Sequence, residues 1–121
     1  MMNLLGIRFC SVNEQAQEML DFFQKGLSLK NTFESNQEFT GGVFPVGESD
    51  SWVEVWKASE QMPEGIMLQL VVEDADRVAE NAREAGLHPQ GPMDAHGERI
   101  YYLQAPSGLS VSFQSRLTST D

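Results

Sequence analysis

The sequence predicts an α+β fold made of two similar βαβββ halves whose strands curl around a cavity for a small molecule. Three observations predict it. The order strand, helix, three strands occurs twice; apolar residues follow strand and helix periods in matching places of both halves; and a polar stretch carrying Pro and Gly separates them. The halves cover about residues 4–59 and 66–115 of a single domain over 1–121, with 60–65 as the linker. Neither half buries both faces of its sheet alone, so one face packs on a helix and the other meets the second half or encloses a ligand.

The elements follow in order. Leu4 to Val12 alternates Leu5, Ile7 and Phe9 against Gly6, Arg8 and Cys10, which is a strand. Val12 falls out of phase with Phe9, so a bulge is expected near Ser11. Asn13 is the candidate N-cap of a helix whose apolar stripe is Ala16, Met19, Leu20, Phe23 and Leu27, with Gly26 as its stop. Leu29–Glu34, Phe39–Val46 and Trp52–Lys57 read as strands, separated by Ser35-Asn36-Gln37 and by Gly47-Glu48-Ser49-Asp50. The linker Glu60-Gln61-Met62-Pro63-Glu64-Gly65 follows. Ile66–Val72 is an apolar strand, and Asp74 caps a helix with Ala75, Val78, Ala82 and Ala85 on one side and Gly86 at its end. Three extended pieces complete the repeat: Leu87–Met93, Arg99–Gln104 and Leu109–Gln114.

Composition narrows the function. A chain of 121 residues is long enough to bury a core. Its net charge of -10 argues against nucleic acid, which demands clustered Lys and Arg. One cysteine, Cys10, excludes an intramolecular disulfide. The first residues lack a basic segment followed by a long apolar run, and no stretch approaches the ~20 apolar residues of a membrane span, so a cytoplasmic protein with no membrane partner is expected.

Strand alternation assigns faces. Val53 and Val55 suit the helix-packed core and leave Trp52, Glu54 and Trp56 for the cavity. Leu109, Val111 and Phe113 go to the core and leave Ser110, Ser112 and Gln114. Leu68, Leu70 and Val72 leave Met67, Gln69 and Val71. Ile7 and Phe9 leave Gly6, Arg8 and Cys10. The resulting wall mixes two tryptophans and a methionine with a few polar groups, as small-molecule pockets do. Tyr101 and Tyr102 point to opposite faces, and Tyr102 is the one assigned to the cavity. The candidate ligand-binding residues are therefore Arg8, Trp52, Glu54, Trp56, Met67, Gln69, Tyr102 and Ser112. Trp52 and Trp56 suit a pocket wall and a subunit seam equally. Glu54 and Arg8 suit a structural ion pair as well as ligand contact. Cys10 reads as an inert buried thiol, and His88 and His96 as exposed loop residues.

The strand Leu4–Val12, the helix with Leu20-Asp21-Phe22-Phe23 and Gly26-Leu27, and the ending Ala105-Pro106-Ser107-Gly108-Leu109 together resemble the vicinal oxygen chelate superfamily of glyoxalase I, bleomycin-resistance proteins and extradiol dioxygenases. The resemblance covers roughly Leu4 to Ser115 and implies a glyoxalase-like fold. Its enzymes hold a divalent metal on four strands. The positions that resemblance assigns to the metal ligands are Gly6, Glu54, Met67 and Ser112, and the Asp that commonly precedes the Pro-x-Gly turn is Ala105. Only Glu54 remains a good ligand, and a hard dication needs several oxygen or nitrogen donors. The resemblance thus implies a protein without metal or cofactor that binds or sequesters a small ligand, as bleomycin-resistance proteins do, and that forms a homodimer. Two alternatives stay open: a glyoxalase-like lyase, isomerase or dioxygenase with Glu54 as ligand or base at an unconventional metal site, and a structural or regulatory module whose pocket is filled by its own side chains.

Overall fold

The alternation that predicts the first strand produces β1 (Leu4–Asn13), and a helix then carries the chain to strands that pair beside it. The computed structural model describes residues 4–35 and 39–117; Asn36 and Gln37 of the expected turn lie outside the described residues, as does Met1–Asn3. Two units result. Arg8–Met67 forms one, and the residues before Arg8 with those from Leu68 onward form the other.

In the unit Arg8–Met67, β2 (Gly41–Pro45) and β3 (Trp52–Lys57) form a hairpin, and β3 runs parallel to β1, in the order β2-β3-β1. Parallel pairing requires a crossover, and α1 (Ala16–Asp21), continued by a wider π-helical turn over Phe22–Gly26, is part of it. Ala16 and Leu20 bury against Phe44 of β2 and Val55 of β3, with Met19, Phe23 and Val53 packed around them. Phe23 and Val55 therefore share one side of the sheet, as the helical spacing predicts.

Four local expectations are corrected here. Asn13 is not the N-cap: Gln15 holds that position, and the Asn13 side chain instead accepts the Gln15 N–H in a turn before the helix. No bulge occurs at Ser11, because the β1–β3 register is unbroken from Arg8↔Trp52 to Asn13↔Lys57. Ser11 simply takes the helix-side position opposite Val55, where it receives a hydrogen bond from the Asn13 amide. Leu29–Glu34 is not a strand: the Asn31 side chain accepts the Val43 N–H, while the Thr32 N–H donates to the Val43 carbonyl. A side-chain oxygen thus replaces one rung of the ladder and the segment runs beside β2 without regular pairing. Lastly, Ile7 and Phe9 lie opposite Arg8 as alternation requires but are 48% and 42% exposed, so they are not core. The short α1 packs mainly on β3 and β2, and neither Ile7 nor Phe9 belongs to the cluster it buries.

The second unit contains β4 from Leu68 (Gly65–Val72 in full), α2 (Ala75–Glu84), β5 (Gln90–Ala95), β6 (Glu98–Gln104) and β7 (Ser110–Arg116), in the order β4-β7-β6-β5. Asp74 caps α2 by accepting the Arg77 N–H, and the Ala75 N–H donates to Ser115. Ala75 and Ala79 let the helix approach Val72, Tyr101 and Phe113 closely; Ala79 takes the core place that spacing assigned to Ala85, which is exposed. Leu109 is also exposed, because β7 begins one residue after it.

Tyr101 stacks on Phe113 and donates its hydroxyl to Asp76 at 2.5 Å, and Asp76 also receives Arg99 at 2.9 Å. These contacts, the Tyr101 bond first, hold the Asp76 carboxyl below its ordinary 3.8. Burial, and then the bond to Asp76, raises the Tyr101 phenol above 10.0. A lowered carboxyl stabilises the fold above its ordinary value and loses that contribution as pH falls through the lowered one; a raised phenol stabilises below its ordinary value and loses it as pH rises through the raised one. Melting temperature measured across pH should therefore fall off less steeply in Asp76→Asn than in the native chain on the acid side, and less steeply in Tyr101→Phe on the alkaline side.

Candidate functional site

On β3 the residues that do not face α1 are Trp52, Glu54 and Trp56, and register supplies their neighbours. Arg8, Cys10 and Val12 lie beside them on β1, and Pro45, Val43 and Gly41 on β2. The Glu54 carboxylate takes one indole N–H on each oxygen: Trp52 Nε1 donates to Oε2, and Trp56 Nε1 donates to Oε1 at 3.1 Å. Both donors come from i±2 neighbours on the same strand, so the pleat itself aims them at the carboxylate. They are neutral donors, and between them they engage both carboxylate oxygens.

Arg8 is buried, with its guanidinium 3.5 Å over the Trp52 ring and its Nε donating to the Asp50 carbonyl at 2.9 Å. A planar guanidinium stacks on an indole in a way an ammonium does not, so Arg8 and Trp52 fix one another. Trp56 is fixed on the other flank. Phe33 and Phe39 stand edgewise to it, with centroids 4.8 and 6.4 Å away.

Cys10 is buried directly across from Glu54. Burial first, and then the Glu54 charge and hydrogen bond, pushes its thiol up from 9.0 to about 12. The inert reading therefore has a physical cause, because the thiolate is the reactive form. Alkylation of the folded protein at pH 8 should be slower than that of the urea-unfolded chain by a factor on the order of 10³, as follows from thiolate fractions at those two values.

The other sequence-predicted residues divide by unit. Met67 is half-buried at the end of the first unit. In the second, Ser112 is fully buried and donates to Gln114 Oε1 at 2.8 Å, and the Gln114 amide reaches Gln69 and Glu98, each at 3.4 Å. Tyr102 lies opposite Ser112 in the register, on that same polar face, and burial raises its phenol. Tyr101 points the other way, into the core. Alternation alone had assigned Gln114 to this face without making it a site residue; its network was invisible because Gln69 and Glu98 are distant in sequence. His88 and His96 are exposed, His96 at φ 53° in the turn before Glu98.

The four positions that resemblance assigns to a metal do not fit one. Gly6 has no donor atom, Met67 offers a thioether, the Ser112 hydroxyl is engaged by Gln114, and both Glu54 oxygens accept indole N–H groups. Among the described residues no three His, Cys, Asp or Glu side chains group to hold a metal ion. Nor, among them, is any helix long and apolar enough to cross a membrane.

No protein-family model matches this sequence, and none of the curated proteins does. Solved structures do match it in fold. A hypothetical protein from Bacillus halodurans C-125 aligns with a TM-score of 0.70 at 19% identity, over 99% of this chain and 98% of its own. A glyoxalase/bleomycin resistance protein/dioxygenase superfamily member from Vibrio splendidus 12B01 aligns at 0.69 and 12% identity, over 95% and 99%. Methylmalonyl-CoA epimerase from Mycobacterium tuberculosis aligns at 0.68 and 13% identity, over 95% and 88%. With near-complete coverage of both chains at these TM-scores, the chain has the glyoxalase-like α+β fold of these structures.

Proposed function

We propose that this chain is a cytoplasmic small-molecule-binding protein of the glyoxalase/bleomycin-resistance type that holds its ligand without a metal. The observation that carries the proposal is the Glu54 carboxylate, gripped by two indole N–H groups on the strand face it shares with Arg8. Such a face combines apolar surface with a few oriented polar groups, as ligand sites do. Arg8, Trp52, Glu54 and Trp56 are the contacts proposed there, with Met67 at the end of the same unit. Gln69, Tyr102 and Ser112 are proposed contacts on the polar face of the other unit, where Gln114 joins them. The two units act in this reading as one domain.

A thermal-shift screen of small organic molecules against the purified protein tests the reading, since a ligand that binds only the folded state raises the melting temperature. Hits are expected whose shift disappears in Glu54→Gln or Arg8→Ala. A broad screen without hits would leave the module with a self-filled pocket. Stoichiometric metal in the native protein that is lost in Glu54→Gln would restore the lyase or dioxygenase.

We propose further that the protein works as a homodimer. Leu5 and Ile7 present half-exposed apolar side chains on one face of β1, and a second copy is the partner that would cover them symmetrically. Sedimentation at micromolar concentration should give a dimer, and Ile7→Asp should give a monomer.

A further inference from the structure

We infer that Gly41 is a positioning residue for the Glu54 carboxylate, acting through Trp56; the inference rests on the reading of Glu54 as the centre of the ligand site. Gly41 is the cross-strand partner of Trp56. A Cβ at Gly41 would collide with the six-membered ring of Trp56, at Cε3 and, 2.7 Å away, at Cζ3. The indole thus lies flat across β2 in the space that any other residue would fill. Phe33 and Phe39 stand edgewise to that ring and leave it little room to move aside. Held in this way, the indole presents its N–H to Glu54 Oε1 at 3.1 Å. Gly41 is fixed in turn by Ser35, whose hydroxyl accepts the Gly41 N–H at 3.2 Å and donates to the Gly41 carbonyl at 3.1 Å. The glycine is therefore required by a close approach, shared between the Val55 carbonyl and the ring of Trp56, which carries one of the two donors to the carboxylate.

A different role is distinguishable, because the same Cβ would also meet the Val55 carbonyl. In that case Gly41 would only set the spacing of β2 from β3. The test needs no ligand, so its failure is separate from failure of the binding reading. The two indole N–H resonances of ¹⁵N-labelled protein, assigned with Trp52→Phe and Trp56→Phe, are compared with and without Glu54→Gln at about pH 7. In the native background the Trp56 signal should move on Glu54→Gln, because its acceptor is changed. In folded Gly41→Ala the Trp56 signal should no longer respond to adding Glu54→Gln, while in Gly65→Ala, whose added Cβ meets nothing, it should still respond. Should Gly41→Ala fail to fold, adding Trp56→Leu is expected to raise its melting temperature by relieving the collision. A Trp56 signal that ignores Glu54→Gln in the native background, or that responds to it unchanged in Gly41→Ala, or no gain in stability on adding Trp56→Leu, would overturn the inference.

Discussion

Phe44→Ala is expected to destabilise the protein by about 3–5 kcal/mol, the range for deleting a buried aromatic ring. Phe44 is 4% exposed in the cluster with Ala16, Leu20 and Val55, and its ring centroid lies 5.2 Å from that of Phe23. Deletion removes the layer on which α1 rests, and α1 is too short to hold its shape without tertiary packing. Urea unfolding should show a lower midpoint with an unchanged slope. Phe22 supplies the control. It is adjacent to Phe23 in sequence but 57% exposed, and Phe22→Ala should change stability by no more than ~0.5 kcal/mol. Equal losses in the two variants would mean that α1 is rotated from the register described here.

What the sequence discloses follows from which forces are local. Alternation along Trp52–Lys57 separates Val55 from Glu54 because a strand's period is set by its own backbone, and the structure agrees with that division. The α2 cap at Asp74 was legible for the same reason. Misreadings arose where a distant group intervened. Leu29–Glu34 has strand-like residues, but the Asn31 side chain takes a backbone bond from Val43, a pairing that no local pattern announces. Ile7 and Phe9 have the apolar character of core positions, yet burial depends on what α1 covers, and α1 is six residues long before it widens at Phe22. At the site, composition named the tryptophans and Glu54 but left open whether the rings were walls or seams. They are hydrogen-bond donors to the carboxylate between them, an assignment that depends on indole rotamers and on the missing side chain of Gly41.

Glu54 carries the second large effect. Glu54→Ala should destabilise the fold by about 1–3 kcal/mol, because the half-buried Trp52 and Trp56 N–H groups lose their common acceptor and water replaces it only in part. Glu54→Gln should be milder but not neutral. A carboxamide has one oxygen and one NH₂, so it satisfies one indole and turns a donor toward the other. The same variant has a second consequence at Cys10. The Glu54 charge and hydrogen bond both raise that thiol, after burial, which is the larger cause. Removing the negative charge should therefore lower the Cys10 pKa from about 12 without returning it to 9.0. The alkylation rate of folded Glu54→Gln, measured against pH, should exceed that of the native protein throughout the alkaline range and remain below that of the unfolded chain. An unchanged rate in Glu54→Gln would mean that the carboxylate does not face Cys10, and a rate equal to the unfolded chain's would mean that the β1–β3 pairing around it has opened.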